Sequence, residues 1–185
     1  CFGAGNLLAK TTHDDSKLVA GKLQITQRLV MANWFLTCLK VNNEILAIAI
    51  DLNAQFYAAR RAVAPMRAAG GGAIINMGSV SWKFKGTGYA VYATCKSAML
   101  GFTRVLAREL GGDNIRVNCV VPGWVMTERQ VNLWLDEKGA AAMDQNQCLP
   151  DKLQPLDIAR MVLFLASDEA AMCTAQEFTV DAGWS

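Results

Sequence analysis

The chain is poor in the side chains most often recruited for chemistry. Histidine occurs once, at His13 in a polar stretch, so a histidine-based triad or a histidine-rich metal site would depend on that single residue. No metal is expected. Six cysteines (Cys1, Cys38, Cys95, Cys119, Cys148 and Cys173) are spread without a C-x-x-C pair, which predicts reduced and mostly buried thiols. No apolar run approaches the roughly 20 residues that span a bilayer. The longest, Leu29 to Leu39, is interrupted by Asn33 and Thr37. No basic segment followed by an apolar run and a cleavage site opens the chain, so a signal peptide is not expected and a cytoplasmic location is. Charge of one sign is lacking too: the net charge is +2 and the basic residues are scattered, which gives no nucleic-acid or membrane surface. Repeats and low-complexity tracts are absent. The first residue is Cys1 and not methionine, which reads as a fragment or a processed chain.

What is present is apolar material in short, regularly spaced pieces. Over 185 residues, 52% are apolar and 18% charged, which predicts one packed domain over 1–185. Residues 1–44 form a divergent N-terminal segment. Gly3 and Gly5 follow no apolar strand and make no dinucleotide fingerprint. Thr11 to Ser16 is a polar loop, and Lys22 to Val41 is one helix, or a helix followed by a strand from Trp34.

From Glu44 the periodicity sharpens. Ile45, Ile48, Leu52, Phe56, Ala59 and Val63 predict an amphipathic helix with that stripe inward, Pro65 kinking it or marking its last turn. Ala73 to Met77 is a short apolar run suited to a strand covered on both faces. Tyr89 to Leu110 is a long helix with Ala98, Gly101, Phe102, Val105, Leu106 and Leu110 as its apolar face, ended by Gly111 and Gly112. Ile115 to Val121 is a second buried strand, stopped by Pro122-Gly123. Thr127 to Gln147 is polar and broken at Gly139, the composition of a mobile lid. A helix over Asp157 to Ser167 and a strand over Phe178 to Val180 close the pattern. Helices alternating with apolar strands predict an α/β doubly wound parallel sheet, Rossmann-like, with its N-terminal strands partly missing.

The chemistry concentrates between Ala73 and Lys96. Tyr92 and Lys96, four apart on a helix, share a face one turn apart. Ser79, thirteen residues before the tyrosine, sits at the C-terminal mouth of a strand. A free tyrosine titrates near pH 10, and lowering that by roughly 3 units needs about 4 kcal/mol, within reach of a lysine in a partly desolvated cleft. Ser79 would hold the substrate oxygen beside the tyrosine. On spacing alone, a surface Tyr–Lys pair is the commoner outcome.

The wider context favours chemistry. INMGS ending in Ser79, YATCK from Tyr92 to Lys96, IRVNCVVPGWVMT from Ile115 to Thr127 and VDAGW near the end resemble, in order and spacing, the short-chain dehydrogenase/reductase family. The likeness covers residues 45–185. It implies that Ser79 orients a substrate hydroxyl or carbonyl and that Tyr92 exchanges its proton. Lys96 would lower the tyrosine pKa and bind the ribose of NAD or NADP, with NAD favoured. Pro122, Gly123, Val125 and Thr127 would flank the nicotinamide. SWKF after Ser79 and the QCL at Gln147 to Leu149 resemble bacterial sugar dehydrogenases, particularly the xylose dehydrogenases, so a sugar substrate is expected. The family also implies a homo-oligomer built through the two long helices. The alternatives are a ketoacyl or alcohol reductase of the same family, or a non-catalytic remnant acting through its helical interface.

Two departures stand out. The fourth catalytic position of the family is an asparagine in an N-L-x-x-x-F segment, and here it is Asp51, with Asn53 about 200° further round the helix. An aspartate there can accept but not donate hydrogen bonds when ionised. Its charge is expected to pair with Lys96, weaken the lysine's effect on Tyr92 and lower activity. In addition, no TGxxxGxG loop or NNAG segment is present. The pyrophosphate of the cofactor thus lacks its usual helix N-terminus, and weak or absent NAD binding by the 185-residue chain is expected.

Overall fold

A computed structural model describes residues 44–185. The expectations for Gly3 and Gly5, the Thr11 to Ser16 loop, His13 and the Lys22 to Val41 segment lie outside the described residues, as do Cys1 and Cys38.

Three parallel strands, β1 (Gly72–Met77), β2 (Ile115–Pro122) and β3 (Glu177–Val180), lie in the order β1-β2-β3. Their register runs from Gly72 opposite Ile115 to Met77 opposite Val120, and from Cys119 opposite Glu177 to Pro122 opposite Val180. Helices cover both faces, as parallel strands require. Ala73, Ile75 and Met77 of β1 join Val120 against Ile158, Val162 and Leu165 of α6 (Pro155–Ala166). The alternate residues Ile74, Ile115 and Val117 pack on Ala59, Ala62 and Met66 of α2 (Ala54–Ala68) and on Ala107 and Leu110 of α3 (Ala90–Leu110). Cys119 and Val121 meet Met99 of α3. The strand period of two thus sorts each apolar run between two cores, and the architecture is the doubly wound α/β sheet read from the sequence.

Local chemistry explains where the elements stop. Pro155 opens α6 inside a capping box of Gln154 and Asp157. Arg116 of β2 closes its other end, donating to the Leu165 and Ser167 carbonyls at 2.8 and 3.0 Å. Pro65 sits in the last turn of α2, where it removes one i→i−4 hydrogen bond without stopping the helix, and α2 runs on to Ala68.

The helix stripes differ from expectation. The helix α1 (Glu44–Ile48) continues through a π-helical segment (Ala49–Asn53) into α2 with helical backbone at both joints. Its buried residues are Ala47, Ile50, Asp51, Gln55, Ala59, Ala62 and Met66, while Ile45 is 79% and Phe56 45% exposed. One extra residue in a π turn rotates everything before it relative to everything after, so a stripe counted at constant 3.6-residue period does not hold its face. On α3 the buried set is Cys95, Lys96, Met99, Thr103, Ala107 and Leu110, and Val105 is 60% exposed. Ala59, Ala62 and Ala107 let both helices lie close to the sheet, while Phe56 sits on the outer side with its ring centroid 5.8 Å from that of the half-buried Phe102.

Gly139 also differs from expectation. It does not break the lid; it lies within α5 (Glu137–Asn146), its N–H donating to the Asp136 carboxylate at 2.7 Å. The break falls earlier, between α4 (Glu128–Trp134) and α5.

Candidate active site

The C-terminal edge of the sheet opens into a cleft of about 380 Å³. Ser79 lies just past β1 and caps the 3-10 turn Val80–Lys83, its Oγ accepting from the Ser81 N–H at 3.1 Å. Gly78 precedes it in a tight place: a Cβ there would come 3.0 Å from Val121 and 3.2 Å from the Cys119 sulfur. Tyr92 and Lys96 enter the same cleft from the first two turns of α3. Pro122, Gly123, Val125 and Thr127, from the loop after β2, line it from the other side. Gly123 packs where a Cβ would come 2.6 Å from the Asp181 Cβ, so only glycine lets this loop sit against β3's end. Val125 is buried and its carbonyl accepts from the Thr127 N–H at 2.8 Å. The Thr127 hydroxyl caps α4 by accepting from the Gln130 N–H at 3.2 Å.

Lys96 is only 1% exposed. Its Nζ lies 5.6 Å from the Tyr92 ring centroid, 3.5 Å from the Met77 carbonyl and 3.2 Å from Asp51 Oδ1. Burial pushes its pKa below the ordinary lysine value, and the Asp51 charge and hydrogen bond pull it part of the way back. Asp51, 4% exposed in the π segment, does not line the cleft; it stands behind the lysine. Asn53 is exposed on the helix surface. Seven of the eight residues singled out from the sequence therefore line one cleft, and Asp51 reaches it through Lys96.

The neighbouring thiols, Cys95 and Cys119, are buried. Burial pushes Cys119 up to about 12 and raises Cys95, the latter with help from the Asp51 charge.

Two features escaped the sequence. Gln55 is buried and binds both polar groups of Met77: its Oε1 accepts from the Met77 N–H at 2.9 Å and its Nε2 donates to the Met77 carbonyl at 3.2 Å. The same amide donates to the Asp51 carbonyl at 2.9 Å, tying the π segment to the end of β1. A glutamine on an amphipathic helix carries no signal that distinguishes it from a solvated one. The second feature is a set of aromatic rings. Phe84, Trp124 and Trp184, with Tyr89, line the cleft, whereas the polar segment from Thr127 to Gln147 contributes only Thr127 and Gln130. The site wall is thus more aromatic than the lid composition suggested.

A doubly wound parallel sheet with its cleft at the C-terminal edge defines the class of protein. Residues 30–185 match the family model described as enoyl-(acyl carrier protein) reductase. The chain is 50% identical over 125 residues to D-xylose 1-dehydrogenase of Caulobacter vibrioides, covering 67% of this chain and 50% of that protein. It is 39% identical over 137 residues to the protein named probable galactose dehydrogenase GalD of Rhizobium meliloti, covering 74% and 54%. Its backbone also matches the crystal structure of a gluconate 5-dehydrogenase from Burkholderia cenocepacia in complex with NADP and tartrate, with a TM-score of 0.69 at 26% identity, over 74% of this chain and 54% of that one. The chain belongs to the short-chain dehydrogenase/reductase family. It spans about half the length of the curated relatives it matches.

Proposed function

We propose that the chain carries the proton-transfer half of a nicotinamide-dependent oxidoreductase acting on a sugar hydroxyl. The observation that carries this reading is the convergence of Ser79, Tyr92 and Lys96 on one cleft, with Lys96 buried 5.6 Å from the Tyr92 ring. The Ser79 hydroxyl binds the substrate oxygen and keeps it beside Tyr92. The Tyr92 phenolate takes the hydroxyl proton as general base, and in the reverse direction the phenol returns it to the carbonyl. The Lys96 ammonium stabilises the phenolate. Asp51 offsets part of that charge and lets so deeply buried a lysine remain protonated.

The residues present suit the nicotinamide-ribose end of NAD or NADP. Lys96 offers a cation, Thr127 a hydroxyl, and the 122–125 loop backbone atoms at the sheet edge. NAD is the favoured form, on the resemblance to xylose dehydrogenases. When bound, the dinucleotide accepts the hydride from the substrate carbon. A sugar is favoured over an acyl or simple alcohol substrate by the names of the relatives at 50% and 39% identity. We further propose that 1–185 forms one Rossmann-like domain, with 1–44 divergent, in a cytoplasmic homo-oligomer. The exposed Phe56, Tyr57 and Val105 on the two long helices support that interface. No described helix is long and apolar enough to cross a membrane.

The test is formation of reduced nicotinamide by the full-length protein with aldoses, set against ketoacyl and aliphatic alcohol substrates. Tyr92→Phe is expected to lower kcat by about 10²-fold or more, the ordinary worth of a general base. Tyr92→Phe turning over at the wild-type rate would refute the assignment, and faster reaction with acyl substrates than with aldoses would favour a ketoacyl reductase.

A further inference from the structure

The cleft that holds the proton-transfer residues is also lined by a run of aromatic rings. Trp184 lies 5.5 Å from Phe84 and 6.3 Å from Trp124, ring centroid to centroid, the second pair stacked at 24°. All three line the cleft that holds Ser79 and Tyr92.

The turn that carries Trp184 is fixed by hydrogen bonds. The buried Asp181 carboxylate accepts from the backbone N–H on either side of it, Gly183 at 2.9 Å and Ser185 at 2.7 Å. The preceding Ala182 carbonyl accepts from the Cys148 N–H at 2.9 Å, joining this turn to the segment after α5. Gly183 has φ +82, and a Cβ there would come 2.8 Å from the Cys148 side chain, so the turn closes only on glycine. Trp124 is buttressed in turn. The benzo edge of its indole rests on Gly139 of α5, where a Cβ would come 2.7 Å from its Cη2. Two rings braced from behind make a pre-organised surface, which loses little freedom when a ligand lies on it.

The chemistry of the wall limits what it fits. A cyclic sugar presents an apolar C–H face and a hydroxyl-bearing rim. An aromatic wall opposite a few fixed hydrogen-bonding groups matches both, whereas an open-chain polyol has no continuous apolar face to lay down. We propose that Trp184 is a specificity-determining residue. It provides a stacking platform, extended by Phe84 and Trp124, that selects the ring form of a sugar over its acyclic counterpart. The inference rests on the sugar reading above and adds to it the residue that reads the ring.

The experiment is equilibrium binding to the full-length protein, with nicotinamide dinucleotide present, of two polyols that differ in ring closure. One is the anhydroalditol of a pyranose, which has the ring but no anomeric hydroxyl; the other is xylitol. Wild type should bind the ring about tenfold more tightly, the worth of one good aromatic contact. Trp184→Leu should erase the difference, while Trp184→Phe should keep most of it. Equal binding of the two polyols by wild type, or a ring preference that survives Trp184→Leu, overturns the platform. The wild-type comparison decides even if Trp184→Leu fails to fold. Ring preference without oxidation of any aldose would leave the platform standing and remove the proposed reaction. Aldose oxidation without ring preference would do the reverse.

Discussion

Replacing Asp51 by asparagine, the residue the family resemblance leads one to expect there, isolates the buried ion pair behind Tyr92. Asp51 Oδ1 and Lys96 Nζ are 3.2 Å apart, and the two residues are 4% and 1% exposed. At that separation, and an effective dielectric constant of about 20, their attraction is about 5 kcal/mol. Much of this offsets the cost of taking two ions out of water, so it is not a net gain. Removing one partner, however, strands the other, at a cost of about 3–5 kcal/mol. Asparagine keeps an acceptor oxygen and recovers about 1 kcal/mol of that. The expected loss for Asp51→Asn is therefore about 2–4 kcal/mol near neutral pH, measured by denaturant unfolding.

The sign with pH follows from the lysine. Lys96 has a folded pKa below its ordinary value of 10.5. Between those two values the unfolded chain holds the extra proton, so stability rises with pH across the window. Without Asp51 the folded pKa falls further and the window extends to lower pH. The gap between variant and wild type should then narrow as pH approaches 10.5. In the full-length protein, as long as Lys96 stays protonated, less of its charge is offset and the acid limb of the turnover profile should move to lower pH. A stability gap that stays constant between about pH 6 and pH 10, with an unaltered turnover profile, would show that the pair does not set the Lys96 charge.

Three further substitutions probe the supports of the site. Gln55→Leu orphans the buried Met77 N–H, at a cost of about 1–3 kcal/mol, and leaves the Met77 carbonyl with the 3.5 Å contact from Lys96; thermal unfolding no different from wild type would refute the bracing role. Gly139→Ala drives a Cβ to 2.7 Å from the Trp124 ring, so it should raise the KM for a ring-form sugar more than it lowers kcat. An unchanged KM would mean that the indole yields at no cost. Asp181 is the acid-sensitive anchor. Burial alone would raise its pKa, but hydrogen bonds from Ser185 and Gly183, with the Lys83 charge, outweigh that and hold it below the ordinary 3.8. A carboxylate depressed in this way contributes stability above pH 3.8 that is lost as pH falls through the folded value. Asp181→Asn should accordingly be less stable at neutral pH and flatter in acid, as followed by circular dichroism.

The sequence alone determined the order of strands and helices from residue 44 onward, the family, and seven residues of one cleft. The element order and the shared face of Tyr92 and Lys96 are carried by local signals, short apolar runs between turns and the helical period, whereas the family and Pro122, Gly123, Val125 and Thr127 were read from the resemblance of whole motifs. Only the tertiary structure decided which helix face points inward. The π segment through Ala49–Asn53 breaks the period, and small residues face the sheet while Phe56 and Val105 do not. Tertiary packing also decided that Gly139 receives an indole where the sequence suggested a break in the chain. The same holds for the Gln55 brace, which joins residues twenty-two apart, and for Trp184, which the Asp181 turn brings into the same cleft as Tyr92. A side chain's partners depend on what the fold brings beside it, and pattern along the chain records only what repeats within one element.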